Sequence, residues 1–360
     1  MAVQGEGIVA REVRGAVAPE PLVIDEPGPG EVLVRVQASG VCHTDLHIRN
    51  GAIASLPMLL GHEGAGIVEA VGPGVVQPRV GDYVILAWRA PCGTCRFCRI
   101  GQLHLCAASL NGQPRQHTPA GEFPPPIMGL GTFATHTVVH ANQAVPVSPD
   151  IPPAQACLIA CGVMTGVGAA LYTAGVRPGS SVAVFGAGAV GTSVIQGARL
   201  ARASKIIAVD LAPQKLAWAR TFGATHTVNP AEGDPVEQIR ALTDGYGVNY
   251  AFECVGHPAV LEQVLACRDL AGVATLIGVA GHGSTLALDL SRFFDLGGSL
   301  RVSWYGDCLP TRDFPLLVEW YLRGELLLDE LITRRIALAE VEDAFQAMER
   351  GETLRSVIGF

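Results

Sequence analysis

The chain is predicted to be an α/β protein of two domains, one β-rich and one built on a doubly wound parallel sheet. Three observations predict this. Its 360 residues are too many for a single hydrophobic core. Its first 150 residues carry short apolar runs closed by Gly, Pro or polar residues. After Pro178 the rhythm changes to solid apolar runs alternating with helix-length segments, the pattern of a parallel sheet covered on both faces.

Each element has its own signal. In the first region the strands are "EVLVRVQASG" (31–40), "GAGIVEAVG" (64–72), "GDYVILA" (81–87) and "THTVVH" (135–140), and "TPAGEFPPPIMGLG" (118–131) reads as surface connection. In the second, "SVAVFGAGAV" and "KIIAVD" are strands, "APQKLAWARTFG" is a helix, and "ATHTV", "VNYAFECVG" and "VATLIGVAG" are further strands. The tail ends in an amphipathic helix, "LAEVEDAFQAMERGE", and a strand, "RSVIGF", expected to return to the first domain. The expected division is 1–162 with 306–360, including a metal-held lobe at 88–110, against 163–305.

Composition excludes several function classes. Hydrophobic residues make up 49% of the chain and charged residues 16%, which argues against disorder. A net charge of −8 argues against a nucleic-acid partner, and Arg96 and Arg99 alone do not make a basic patch. The N-terminal "MAVQGEGIVAREVRG" lacks the apolar core of a signal peptide. Residues 151–176 carry no formal charge and could span a bilayer by length, but two prolines, four glycines and Gln155 favour a buried helix at a domain junction over a membrane partner. Unpatterned cysteines without a secretion signal point to the reducing cytoplasm, where clustered thiols hold metal more often than disulfides.

Cys92, Cys95, Cys98 and Cys106 follow C-x2-C-x2-C-x7-C. Two-residue gaps let neighbouring sulfurs converge on one ion, and the longer gap lets the fourth close a tetrahedron. Iron–sulfur and plain thiols are the competing readings; a closed, structural zinc is the assignment. No coordination position remains there for a reactant.

"VFGAGAVG" supplies G-x-G-x-x-G as Gly186, Gly188 and Gly191, after a strand and at the start of a helix. Such glycines let the backbone approach a pyrophosphate at the helix N-terminus. Asp210 ends the next strand, where its carboxylate can bind the ribose hydroxyls and repel a 2′-phosphate, and no Arg follows in "LAPQK". NAD is therefore expected rather than NADP.

Catalysis needs a metal with a free position. "GVCHTDLH" (40–47) offers Cys42, "GHEGAGIVEAVG" (61–72) offers His62 and Glu63, and "ACGVMTG" (160–166) offers Cys161. A Cys/His/Cys set would leave zinc one open position, though each residue singly is a weak signal, and Cys161 alone reads as a core thiol.

Taken together, these motifs resemble the zinc-dependent medium-chain alcohol dehydrogenases. "CHTD", "GHEGAGIVEAVGPGV", the four-cysteine cluster and the dinucleotide motif occur in that family's order, and the resemblance runs from about residue 5 to residue 360. It implies a GroES-like catalytic domain and a Rossmann cofactor domain, two zinc ions per chain, NAD, an alcohol or aldehyde substrate, and a homodimer or homotetramer that pairs the sheets of its cofactor domains. Cys42, His62 and Cys161 match the catalytic zinc ligands, and Glu63 a carboxylate that can approach the metal during ligand exchange. Asp45 matches the carboxylate that orients the histidine ligand. Thr44 matches the hydroxyl that takes the substrate proton and passes it through the cofactor ribose to His47; alone, Thr44 would read as a helix cap and His47 as an exposed helix residue. Lys215 matches a lysine near the adenosine ribose, Arg355 a tail residue that reaches the pyrophosphate, and Val279 a carbonyl for the nicotinamide amide. Thr165 and Val190 fall among the matching cofactor contacts. His43 departs from the arginine of many relatives, which implies weaker hold on the pyrophosphate and faster NADH release.

Substrate is less legible. "WRAPCGTCRFC" (88–98) and "SWYGDCLPTRDFP" (303–315) resemble the S-(hydroxymethyl)mycothiol dehydrogenase branch, but "CAASLNGQPRQ" (106–116) departs from it. A primary or aryl alcohol is the preferred expectation, with the mycothiol adduct of formaldehyde second. Trp88, Met128, Trp304 and Tyr305 are candidate pocket residues, with core packing as the alternative. A zinc-free quinone reductase relative would lack both zinc sets, and a non-catalytic binding protein would have no reason to keep Thr44, His47 and an open ligand set together.

Overall fold

The computed structural model describes residues 2–52, 55–281 and 283–360, in two units. The first comprises 1–161 and 309–360 and the second 162–308. The division thus falls at 308/309, against the 305/306 expected from the sequence. Residues 306–308 belong with the second unit because Gly306 lies against Gly168 there: a Cβ built on Gly168 would stand 2.3 Å from the Gly306 carbonyl oxygen.

In the first unit, strand Glu31–Gly40 is the hub of a seven-stranded sheet. It pairs antiparallel with Glu63–Val71, His136–His140 and the C-terminal Arg355–Gly359. Alternation along it separates two cores. Val32 and Val34 pack with Val68, Val84 and Val139, whereas Leu33 packs with Leu22, Ile24 and Val138. Strands Val3–Ala10 and Pro19–Ile24, which the sequence pattern did not single out, form a smaller sheet with Met58–Leu59 and Gln116–His117. The glycines and prolines in "VQGEGIVA" and "PEPLVI" hide their alternation.

The expected surface connection at 118–131 is corrected in its second half. Residues 119–123 are exposed, but Ile127 and Leu130 are buried in two different cores. The tight turn Ile127–Gly129 drives both side chains inward.

The second unit has a six-stranded, all-parallel sheet. Its order is His226–Val228, Lys205–Val209, Ser181–Phe185, Val248–Glu253, Arg268–Leu276, Ser299–Val302. With the strands numbered along the chain, this is 3-2-1-4-5-6, the doubly wound order that binds dinucleotides where the order reverses. Val182, Ala183, Val184, Ile207 and Ala208 are fully buried, as expected of strands covered on both faces. Strand Arg268–Leu276 begins five residues before the apolar run that marks it in the sequence. Its start is polar because Arg268, wholly buried, donates to the carbonyls of Leu265, Gly272 and Gly297.

The uncharged segment forms one 22-residue helix, Pro153–Ala174, long and apolar enough to cross a membrane but mostly buried inside the protein. The chain passes from the first unit to the second within it. Two of its turns, Ile159–Val163 and Ala169–Ala174, are widened to π-helical geometry. Such turns often mark functional positions.

Candidate active site and metal centres

The four-cysteine cluster is built by a tight turn. Gly93 takes a positive φ of 73°, and Cys95 starts the short helix Arg96–Arg99. The sulfurs of Cys95 and Cys98 stand 3.6 Å apart, and those of Cys95 and Cys106 stand 4.0 Å apart. A tetrahedron of sulfurs about 2.3 Å from zinc has edges of about 3.8 Å, so the spacing suits that ion. All four ligand atoms lie within 4.8 Å of one another. Backbone N–H groups of Thr94 and Cys95 pull the Cys92 thiol down to about 6, while burial pushes Cys98 up to about 12. Sulfurs this close cannot all ionise without a cation among them.

A second set, Cys42, His62, Glu63 and Cys161, also brings its ligand atoms within 4.8 Å, entirely inside the first unit. Sheet register assembles it. Gly40, at the end of the hub strand, stands opposite Glu63 in one neighbour and Val357 in the other. Cys42 follows at the cap of helix His43–Arg49. Cys161 comes from the wide turn Ile159–Val163. A Cβ on Gly40 would lie 2.3 Å from Glu63 Oε2, so only glycine admits that carboxylate. Gly61, with φ 93°, turns the chain ahead of His62, where a Cβ would meet the Phe133 nitrogen at 2.2 Å.

Asp45 organises this set. Its Oδ2 accepts the Cys42 N–H at 3.2 Å, its Oδ1 accepts the Gly61 N–H at 2.9 Å, and Oδ1 lies 3.2 Å from His62 Nδ1. His62 Nε2 is left buried without a hydrogen-bond partner among the described residues, beside the two thiols. An orphaned imidazole nitrogen next to two sulfurs is the donor chemistry of a zinc site whose histidine is oriented from behind. Cys161 donates to Cys42, which lowers the Cys42 thiol and raises that of Cys161. Burial opposes charge on His62, but Asp45 and Cys42 raise it above its ordinary value. Burial pushes Glu63 up to about 7, with Arg355 pulling the other way.

Arg355, expected at the pyrophosphate, is only 4% exposed. Its Nη2 donates to Glu63 Oε1 at 2.9 Å and its Nη1 to the Val41 carbonyl at 3.0 Å. The reading of the sequence missed this pair. No local signal could have found it, because 292 residues separate its members and only the strand pairing joins them.

On helix His43–Arg49, Thr44 and His47 are three residues apart, hence on one face, and both are partly exposed. Cys42 with Asp45 occupies the cap, so Thr44 is not spent there. His43 is exposed, its ring centroid 6.2 Å from that of His47.

The dinucleotide motif lies in the second unit. Gly186 has φ 91°, and a Cβ on Gly191 would stand 1.7 Å from the Gly186 oxygen. Around Gly188, the N-cap of helix Ala189–Leu200, there is open space where a Cβ would sit, the cradle a pyrophosphate needs. Val190 lies in the first turn of that helix. Asp210 Oδ2 accepts the Ala187 N–H at 2.8 Å and Oδ1 the Ala212 N–H at 2.9 Å, which fixes the carboxylate beside the glycine turn. Lys215 is partly buried on helix Pro213–Thr221, and Thr165 partly buried on Met164–Gly168. Val279 is 66% exposed, its carbonyl close against Gly256. Of the candidate pocket residues, Tyr305 is buried and Trp304 exposed, while Trp88 and Met128 pack against cores of the first unit.

Comparison with known proteins agrees with this geometry. Residues 28–150 match the alcohol dehydrogenase GroES-like domain and residues 189–323 match the zinc-binding dehydrogenase domain. An S-(hydroxymethyl)glutathione dehydrogenase of Aspergillus oryzae is 41% identical, the match covering 95% of this chain and 93% of that protein. The chain belongs to the zinc-dependent medium-chain alcohol dehydrogenase family. As a member of that family it is an oxidoreductase, with zinc and NAD as its cofactors. Among solved structures, an alcohol dehydrogenase zinc-binding domain protein from Burkholderia ambifaria has a TM-score of 0.95 at 37% identity, over 100% of both chains. Benzyl alcohol dehydrogenase from Acinetobacter calcoaceticus has a TM-score of 0.93 at 33% identity, over 99% of each. The Aspergillus relative's name carries glutathione, whereas the resemblance seen in the sequence pointed to the mycothiol branch.

Proposed function

We propose that this dehydrogenase oxidises primary alcohols, aryl alcohols among them, to aldehydes with NAD, and runs the reverse reaction with the same groups. The observation that carries the reading is the convergence of Cys42, His62 and Cys161 beside Glu63, with Asp45 behind the imidazole. Bound there, zinc supplies Lewis acidity toward the alcohol oxygen, and bound NAD supplies the hydride acceptor. Asp45 holds His62 so that Nε2 faces the metal position. Arg355 engages one Glu63 oxygen and so fixes the carboxylate beside the ligand set. The Thr44 hydroxyl takes the substrate proton as it gives up its own toward His47, on the same helix face, and His47 releases a proton to solvent.

Charge in the stretch after Cys106 favours a neutral alcohol over the adduct of a peptide thiol. Between Cys106 and Ile127 the basic side chains are Arg115 and His117. Arg115 is committed to buried Glu31 at 2.8 Å, and His117 lies 3.5 Å from Asp25. Both are therefore engaged rather than held ready for the carboxylates of a peptide thiol. A second reading, oxidation of S-(hydroxymethyl)glutathione, is favoured by the 41% identical relative, and the mycothiol adduct stands behind it. NADH formation from benzyl alcohol, an aliphatic alcohol, and formaldehyde with glutathione, with mycothiol or with neither tests these readings. Turnover only with a thiol present overturns the alcohol reading.

We also propose a homodimer or homotetramer formed through the sheet edge Ser299–Val302, where Val302 is largely exposed and Leu300 partly so. Sedimentation of Val302→Glu is expected to give monomers. Clustered thiols reserved for metal support a cytoplasmic location.

A further inference from the structure

We propose that the hydrogen bond from Thr173 to Asp307 is a latch that holds the turn Tyr305–Asp307 against the helix carrying Thr165, and so positions that helix for NAD. The inference rests on the reading of Thr165 as a cofactor contact. Tyr305, Gly306 and Asp307 have φ values of 59°, 66° and 52°. Three left-handed residues in succession are unusual: Gly306 takes that region freely and Asp307 tolerates it, but the bulky side chain of Tyr305 disfavours it. Such a turn persists only where its surroundings over-determine it, and then commonly at a working site.

The surroundings are identifiable. Thr173 Oγ1 donates to Asp307 Oδ2 at 2.7 Å. A hydroxyl has one proton to give, so the 2.8 Å contact between Thr173 Oγ1 and Ser303 Oγ must run from serine to threonine. A directed chain, Ser303 to Thr173 to Asp307, thus ends on the carboxylate of the last residue of the strained turn. Thr173 and Ser303 are buried, and Arg301 Nη1 fixes the backbone of Thr173 by donating to its carbonyl at 2.7 Å. The wide helical turn Ala169–Ala174 sets Thr173 in this position.

The turn in turn rests on the helix. A Cβ on Gly306 would lie 2.5 Å from the Met164 carbonyl oxygen and 3.0 Å from that of Thr165. Backbone meets backbone there, with no side chain between to absorb a shift. If Asp307 lost its partner, the turn would relax toward ordinary φ, and the support beneath Met164 and Thr165 would move with it. Asp307 and Thr173 are positioning residues in this account.

The test uses the full-length, zinc-loaded enzyme. NADH affinity by fluorescence titration, kcat at saturating NAD, and Tm are measured for Thr173→Val, Thr173→Ser, Asp307→Ala and Asp307→Asn. Thr173→Val and Asp307→Ala are expected to weaken NADH binding about ten-fold, with kcat at saturation within about two-fold of the parent. Thr173→Ser and Asp307→Asn, which keep donor and acceptor, are expected to bind within about two-fold of the parent. Asp307 is partly exposed, so Asp307→Ala remains readable if Thr173→Val fails to fold. Parental affinity in both disruptive variants overturns the latch, as does equal loss in Thr173→Ser and Thr173→Val. A parent that binds NADH but oxidises no alcohol overturns the proposed function while the latch is still read from affinity. A parent that binds no NADH overturns both.

Discussion

The first unit holds two metal-ligand clusters made by opposite routes. Cys92, Cys95, Cys98 and Cys106 lie within fifteen residues and close on one another through a local turn. Cys42, His62, Glu63 and Cys161 come from three separate stretches of chain, joined by sheet register and a widened helical turn. The local cluster offers four equivalent sulfurs, which fill a tetrahedron and leave no place for a reactant. The dispersed one mixes two sulfurs, an imidazole and a carboxylate already held by Arg355. A carboxylate anchored by Arg355 beside two sulfurs and an imidazole makes a mixed donor set, and only long-range contacts can arrange it.

Substitutions break or sharpen this contrast. The largest effect is expected from Cys42→Ala, which removes a ligand from the dispersed cluster alone. Turnover should fall on the order of 10⁴-fold, matching several kcal/mol of lost Lewis-acid assistance. Metal analysis should find one zinc per chain fewer, and retention of both zincs with activity intact would sink the assignment. Asp45→Ala keeps every ligand but frees the imidazole, and metal affinity at that site should drop about 10- to 100-fold in a chelator competition.

Cys98→Ser probes the other cluster and should separate stability from chemistry. Loss of the lobe's ion is expected to lower Tm by about 10 °C, while kcat below the transition stays within about three-fold. A collapse of kcat with unchanged Tm would reverse the roles given to the two clusters. His43→Arg, next to Cys42 but turned outward, should have the smallest effect. NADH dissociation followed by stopped-flow is expected to slow about three-fold as a fixed charge replaces imidazole. An unchanged rate would show that His43 does not touch the cofactor.

Legibility followed the range of the interactions. The glycine motif was readable because its parts act within one strand–turn–helix: Gly186 needs its φ, and Gly191 lies against Gly186. The strands of the parallel sheet were readable because burial on both faces forces continuous apolar runs. Strands Val3–Ala10 and Pro19–Ile24 were not, since glycine and proline blur their period, and neither was the inward course of Ile127 and Leu130.

What the sequence determined by itself was therefore local: the four-sulfur site, the dinucleotide turn, and the change from β-rich to alternating architecture. Cys42, His62 and Cys161 could be named from it only through resemblance, because no spacing rule joins ligands so far apart. Tertiary structure alone decided that Glu63 would face Arg355, that Asp45 would bind the turn ahead of His62, and that Asp307 would find Thr173. Each of these is a buried polar contact between distant segments, fixed by strand register and packing that no short stretch of chain encodes.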